Sequence, residues 1–423
     1  MGASVRVWDA PLGEGHRDHE NRRTAAPCRS CPCRARTGRL RHGLPHAAGR
    51  RRRLQRRHHA DATGTARQVQ VHHPRRALRL DVDELHQRHP RCGVPIALYA
   101  AINETRCTTT STDFYYPVWQ AINKADFWLH KADGTLSQWS TAWNSCDLNL
   151  SSWGRRDASG RTWQEYKALF DYNNLLAPTP AAQWLFSDNT FGLPREDADW
   201  KRIGTNQLRT ESDIIVAQRA GQAAYWAALR AYNVNLRIIG NADNDLSSTE
   251  YKYKLNGAFF EGAMGRSWSI ETWSTWSAMM NRYRAMLSNT TSPHAVFFQV
   301  YGSTTDYKLM RYGLASSLMV DGGYYVYLPF GGTLKSSWYD EYGAPIGGPL
   351  DAAPTGPAQN GIWKRTFENG MALVNPSKTT TASIYVGSGY RRLSGMQDPV
   401  VNNGQPVSTV TLGPREGLIL VRQ

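Results

Sequence analysis

Asn256-Gly257-Ala258-Phe259-Phe260-Glu261-Gly262 is the stretch on which the fold turns. Small and apolar residues run from Gly257 to Phe260 without a polar break, and the run stops at a single carboxylate. A short unbroken run of this kind suits a strand buried on both faces, as in a parallel sheet covered by helices. Similar runs lie on either side of it, at Pro95–Ile102, Asp126–His130, Trp184–Asp188, Asn235–Gly240, Ala295–Val300 and Tyr324–Leu328. Amphipathic stretches separate most of them. Thr162–Tyr172 opens on Thr162 and meets Glu165 three residues later, the spacing of a capping box. Glu211–Ala231 keeps an apolar stripe through Ile215, Ala223, Trp226 and Leu229, and Glu271–Leu287 keeps one through Trp273, Trp276, Met280 and Met286. Strands alternating with helices predict an α/β fold, a (β/α)₈ TIM-type barrel over residues 94–330. One strand fewer than eight can be counted, so the first reads as missing or scrambled, with Ala77–Leu85 as its apolar candidate.

Beyond Pro329 the pattern changes. Gly331–Gly332, Gly347–Gly348 and Pro345, Pro349, Pro354 and Pro357 mark a turn-rich connection. Short alternating runs follow at Ile362–Phe367, Met371–Asn375, Ala382–Val386, Val407–Leu412 and Gly417–Val421. Such spacing predicts a small all-β sandwich over residues 331–423.

The front of the chain is of another kind. A length of 423 residues accommodates one large domain and a smaller one, and the net charge of +15 would suit a polyanionic partner if it were spread evenly. It is concentrated: up to Pro95 there are 21 arginines, no lysine and 8 acidic residues. The remainder holds 29 basic and 27 acidic residues and is close to neutral. Residues 1–93 read as an anomalous Arg/His-rich segment, either disordered for want of apolar surface or the product of a GC-rich coding region read out of frame. A basic nucleic-acid arm is the weaker reading, so no nucleic-acid partner is expected. Cys28, Cys31 and Cys33 lack a second ligand group at zinc-finger spacing, and neither metal nor cofactor is expected. Cys107 and Cys146 are free to pair in an oxidising compartment, a matter two cysteines leave open. No membrane span and no signal peptide are readable.

In a barrel, the residues at the C-terminal strand ends face the active site. Asp188 ends the run Trp184-Leu185-Phe186-Ser187-Asp188, and Glu261 ends its own. A lone acid after a buried run is more often a helix cap or turn residue. Two such acids on two strands of one sheet point instead to a working pair, because an ionised carboxylate there is costly unless paired or solvated. Counting the absent strand as the first places Asp188 on the fourth and Glu261 on the sixth. Glycosidic cleavage needs such a pair, one carboxylate as nucleophile or base and the other to protonate the leaving oxygen. Tyr99, His130, Asn149, Asn241, Gln299 and Tyr301 are the substrate-binding candidates at other strand ends, with Asn103 and Asp243 beside them. His130 reads either as a sugar contact or as a satisfied core histidine. Trp143, Trp153, Trp184 and Trp268 suit stacking on pyranose faces, whereas Trp226 and Trp276 read as packing. Glu271 belongs to the helix after Glu261 rather than to the site. The near-neutral region holds no serine-hydrolase elbow, phosphate loop, H-E-x-x-H or dinucleotide fingerprint.

These pieces carry a resemblance. Phe127-Trp128-Leu129-His130 with Asp133-Gly134, Leu185-Phe186-Ser187-Asp188-Asn189 and Asn256–Gly262 resemble bacterial glycosyl-hydrolase-like (β/α)₈ families, hypothetical glycosyl hydrolase family fifteen foremost. Trp338–Tyr342, Arg365–Gly370 and Val374-Asn375-Pro376 are similar to the β-domain that follows the barrel in such proteins. The resemblance covers Val94 to the end and implies a glycosidase with a carbohydrate substrate, an oligo- or polysaccharide. It implies Asp188 and Glu261 as its catalytic pair, and an extracellular or periplasmic location. Likeness to the α-galactosidase-type clan implies Asp188 as nucleophile and Glu261 as acid/base. A non-catalytic carbohydrate-binding barrel, or an inactivated hydrolase relative, is the alternative.

Overall fold

The computed structural model describes residues 96–130, 133–191, 211–329, 338–357 and 360–423. The Arg/His-rich segment 1–93, with its cysteine cluster and the Ala77–Leu85 candidate, lies outside them. The described chain begins with β1 (Ala97–Ala101), β2 (Glu104–Arg106) and helix α1 (Tyr116–Ala125), then β3 (Gln138–Ser140), β4 (Ser145–Asp147) and α2 (Trp163–Asp171). It continues through β5 (Trp184–Thr190), α3 (Glu211–Tyr232), β6 (Arg237–Ala242), β7 (Gly257–Met264), the short α4 (Ile270–Trp273), α5 (Trp276–Asn289), β8 (Ala295–Gly302), α6 (Tyr307–Ser317) and β9 (Gly323–Pro329). Among the described residues β1-β5-β6-β7-β8-β9 form one open sheet, every neighbouring pair parallel. A side sheet of order β2-β4-β3 is antiparallel and is stapled by the disulfide Cys107–Cys146.

The unbroken apolar runs become strands because both faces of the sheet are covered. Leu185, Ile238, Ala258, Phe260, Val296, Phe298 and Val300 point into the core shared with the helices. Trp184, Ile239, Phe259, Ala295 and Phe297 form a second cluster on the opposite, concave face. Full burial of a side chain the size of Phe298 contributes about 1.5–3 kcal/mol. On the helix side, Thr162 caps α2 in the expected box. Its hydroxyl accepts from the Glu165 amide at 3.3 Å, while Glu165 accepts from the Thr162 amide at 2.8 Å. Trp226 and Trp276 are buried, their indole N–H groups donating to Ser187 and Ser316.

Two expected elements come out differently. Asp126–His130 is not a strand of the parallel sheet. Asp126 takes a left-handed conformation (φ 52°) as the C-cap of α1, and the chain then bridges to Leu148 and Leu136 beside the side sheet. Phe127, Trp128 and Leu129 are all buried, so the run is apolar because it is enclosed, not because it is a barrel strand. The stretch 271–287 is two helices instead of one. Ser274 breaks it, Thr275 caps α5 through a 3.0 Å bond from the Ala278 amide, and Trp273 is left exposed off the apolar stripe.

Among the described residues the C-terminal unit is one five-stranded antiparallel sheet rather than the two packed sheets of a sandwich. Its strands are β10 (Trp363–Phe367), β11 (Gly370–Asn375), β12 (Ala382–Arg392), β13 (Pro406–Leu412) and β14 (Glu416–Arg422), in the order β10-β11-β14-β12-β13. The register shifts between Tyr385 and Tyr390 of β12, whose end pairs with both β13 and β14. Ile362, Met371, Leu373, Val410, Leu412 and Leu418 share a core of their own on one face. The other face, with Phe367, Ala372, Val374, Ile419 and Val421, shares the core of Met310, Leu314 and Ala315 on α6. Both faces are thus satisfied without a second sheet.

Buried charges lock this unit to the parallel sheet. Arg311 of α6 meets Glu341 at 3.2 Å and Asp398 at 2.8 Å, and Asn402 donates to Glu341 at 2.9 Å. Glu271 lies on α4, a helix after Glu261 as expected, and meets Arg415 of the C-terminal unit at 2.9 Å. Removing one member of a buried pair leaves its partner uncompensated, at a cost of about 3–5 kcal/mol. Arg311→Ala is therefore expected to lose about that much stability in urea-denaturation measurements. A loss below about 1 kcal/mol, the worth of a surface pair, would mean the contact is not a lock.

Candidate active site

The sheet alternation that buries Trp184 and Phe186 on the concave face carries Asp188 to the same face at the C-terminal end of β5, and Phe259 is followed in the same sense by Glu261 on β7. Between these strands lies β6, whose Asn241 occupies the corresponding place. The Asn241 amide nitrogen donates to Asp188 Oδ1 at 2.9 Å and to Glu261 Oε2 at 2.8 Å. The two acceptor oxygens therefore stand no further apart than those bonds laid end to end, about 5.7 Å.

Each carboxylate has further neutral donors. Tyr99 of β1 donates its hydroxyl to Asp188 Oδ2 at 2.5 Å, and the Asn189 backbone amide donates to Asp188 Oδ1 at 2.9 Å. Tyr301 of β8 donates to Glu261 Oε1 at 2.7 Å. The Tyr99 side chain is 41% exposed, but its hydroxyl end is enclosed. Burial first, and the adjacent Asp188 charge second, push its pKa far above the ordinary phenol value. Tyr99 thus remains an O–H donor at any working pH.

Beside Glu261 the backbone opens an unusual space. Gly262 has φ +56°, and a Cβ there would lie 2.2 Å from the Trp268 ring. Its amide donates to the buried Gln299 side chain at 2.5 Å. The Trp268 ring, 54% exposed, packs edge-to-face on Tyr301 with centroids 6.2 Å apart, and the Arg266 guanidinium lies 4.3 Å over the Tyr301 ring. Trp273 donates its indole N–H to the Trp268 carbonyl at 3.1 Å.

Of the residues singled out from sequence, Asp188, Glu261, Tyr99, Asn241 and Tyr301 are joined by direct hydrogen bonds, with Gln299 one bond away through Gly262. His130 and Asn149 stand elsewhere. His130 Nε2 lies 2.7 Å from Asp126 Oδ1, and Arg155 completes that group from 3.0 Å. Asn149 is buried and accepts from the Ser151 amide and hydroxyl, closing a local turn. Asn103 donates to the Asn189 carbonyl at 2.6 Å. Asp243 is turned to a separate cleft of about 620 Å³ that it lines with Arg219, Asp245, Asn281 and Arg282, and that neither Asp188 nor Glu261 lines. Trp184 is buried in the concave cluster, so it is packing rather than a stacking platform. Trp268, another of that set, contacts Gly262 and Tyr301 beside Glu261.

Glu104 and Asn189 escape the sequence reading. The Asn189 side chain donates to Glu104, whose other oxygen accepts from the Ser145 hydroxyl at 2.6 Å. The available signal was modest: Asn189 directly follows the nucleophile candidate, and Glu104 directly follows Asn103. Among the described residues, no group of three or more His, Cys, Asp or Glu side chains is placed to hold a metal ion.

A family model described as hypothetical glycosyl hydrolase family 15 matches residues 86–371, the span that holds both carboxylates and every donor named above. The chain belongs to hypothetical glycosyl hydrolase family 15. Among curated proteins none matches it. Solved structures similar to this family 15 chain include an Anoxybacillus α-amylase, at 12% identity over 81% of this chain and 79% of that one, with a TM-score of 0.42. The glycoside hydrolase domain of PelA from Pseudomonas aeruginosa is 15% identical over 59% and 82%, with a TM-score of 0.36. The GH36 α-galactosidase AgaA from Geobacillus stearothermophilus is 9% identical over 81% and 46%, with a TM-score of 0.40.

Within this family 15 site, Gly262→Ala is expected to displace the Trp268 ring and to cost about 1–2 kcal/mol for the left-handed backbone alone. Tryptophan emission and the denaturation midpoint report the two effects. An unchanged spectrum with wild-type stability would show that the ring does not rest on Gly262.

Proposed function

We propose that this chain is a glycoside hydrolase that cleaves glycosidic bonds of an oligo- or polysaccharide, with Asp188 as nucleophile and Glu261 as acid/base. The observation that carries the reading is the Asn241 amide shared between the two carboxylates. Retaining glycosidases hold their carboxyl groups about 5–5.5 Å apart and inverting ones about 6.5–9.5 Å apart. A single bridging nitrogen favours the shorter class, in which Asp188 attacks the anomeric carbon and Glu261 protonates the leaving oxygen. Glu261 then deprotonates the water that releases the sugar from Asp188. Asn241, Tyr99 and Tyr301 orient the two carboxylates through neutral donors, and Trp268 offers an apolar ring face beside Glu261 for a sugar.

In this reading the six parallel strands are an arc of an eight-stranded barrel with β1 in the third position. Asp188 then sits on strand four and Glu261 on strand six. The sequence count reaches the same numbers by counting Asp126–His130 as a strand and one strand as absent. The Cys107–Cys146 bond suits an oxidising compartment, and we place the protein outside the cytoplasm.

Asp188→Asn is expected to lower turnover on the order of 10⁴-fold or more, as loss of a covalent nucleophile does elsewhere. Glu261→Gln should cost about 10²–10⁴-fold, with less effect on substrates whose leaving group needs no proton. Early-time NMR of the product should show the anomer of the substrate. An inverted product would overturn the retaining assignment. Full turnover in both variants would overturn the pair, and glycan binding without turnover by the wild type would leave a carbohydrate-binding protein.

A further inference from the structure

Asp188 receives a hydrogen bond from the backbone amide of the very next residue, Asn189, which is itself left-handed (φ 52°). Asparagine enters this region more readily than other non-glycine residues, and here its surroundings also fix it. The Phe191 amide bonds the Asn189 carbonyl at 2.8 Å, and three side chains hold this residue as well. Asn103 donates to the Asn189 carbonyl at 2.6 Å, Gln222 of α3 reaches the same oxygen at 3.4 Å, and the Asn189 side chain donates to Glu104. Glu104 is the charged member of the three. It is itself held by the Ser145 hydroxyl across the β2–β4 pair, and Cys107–Cys146 staples the same two strands. The carboxylate of Glu104 also faces Tyr99, the other principal donor to Asp188.

We propose that Glu104 is a positioning residue for the nucleophile, acting through Asn189 to aim a backbone amide at Asp188. The inference rests on the assignment of Asp188 above. It gives the side sheet a role, since the disulfide-stapled β2–β4 pair presents Glu104 to the mouth of the parallel sheet. Among the described residues, groups with charge or titrating protons near Asp188 include Tyr99 on β1 with Tyr115 beyond it, Glu104 on β2, and Glu261 on β7 with Tyr301 and Arg266 behind it. Glu104 adds negative charge to that set.

The test uses the whole chain and whichever 4-nitrophenyl glycoside the wild type turns over, from a panel of α- and β-gluco-, galacto- and N-acetylhexosaminides. Glu104→Ala is expected to lower kcat about 10- to 100-fold, the penalty of a misplaced reacting group, with KM little changed. Glu104→Gln keeps an oxygen for Asn189, so it should rescue most of kcat. Asn189→Gly keeps the left-handed backbone and removes the side chain that Glu104 holds. Adding Glu104→Ala to it should therefore cost little more, a coupling that a merely structural role would not produce. Wild-type kcat in Glu104→Ala, or fully additive losses in the double variant, would overturn the proposal. If Asp188→Asn is dead while Glu104→Ala keeps wild-type kcat, only this inference fails. If Asp188→Asn stays active, the nucleophile assignment fails first.

Discussion

Side chains along a strand alternate between two faces, and in this protein the two faces have different tasks. From β5 to β8 one face feeds the core under the helices and the other the concave cluster of Trp184, Ile239, Phe259 and Phe297. Asp188, Asn241 and Glu261 are simply the next members of the concave series, where the apolar filling ends. A slip of one residue in any of these strands would turn its carboxylate or amide into the helix layer and break the shared hydrogen bonds. The apolar residues that stabilise the sheet therefore also set the aim of the site.

Charge is handled in two ways in the same chain. At the interface with the C-terminal sheet, buried acids are met by guanidinium groups, Glu341 and Asp398 by Arg311 and Glu271 by Arg415. There the negative charge is cancelled and the contact serves as a lock. At the mouth of the sheet the described partners of Asp188 and Glu261 are an amide, a backbone N–H and two phenols. Neutral donors orient a carboxylate without cancelling its charge, which suits groups that must exchange protons or attack a carbon. The buried Lys167–Asp171 pair within α2 follows the first pattern, with Tyr225 of α3 as an added donor to Asp171.

Much of this was legible in the chain before any coordinates. The unbroken runs located β1, β5, β6, β7, β8 and β9 within a few residues, because burial on both faces leaves a local trace. The Thr162–Glu165 box and the five C-terminal strands were legible for the same reason. Asp126–His130 misled because an enclosed irregular segment and a buried strand leave the same apolar trace. The expectation of a sandwich went astray because alternation in a strand tells which residues are buried. It does not tell whether a second sheet, a helix or the curl of the same sheet covers them.

The sequence by itself determined that Asp188 and Glu261 end two buried runs, and that Asn241 and Tyr301 stand at comparable ends. These are properties of short segments, set by local burial and a period of two. Only the tertiary structure decided that β6 lies between β5 and β7, so that one amide of Asn241 serves both acids. It also turned His130 toward Asp126 and brought Glu104 across 85 positions of chain to Asn189. Which strands and loops become neighbours depends on pairing and closure over long sequence distances, and no short stretch of residues encodes that.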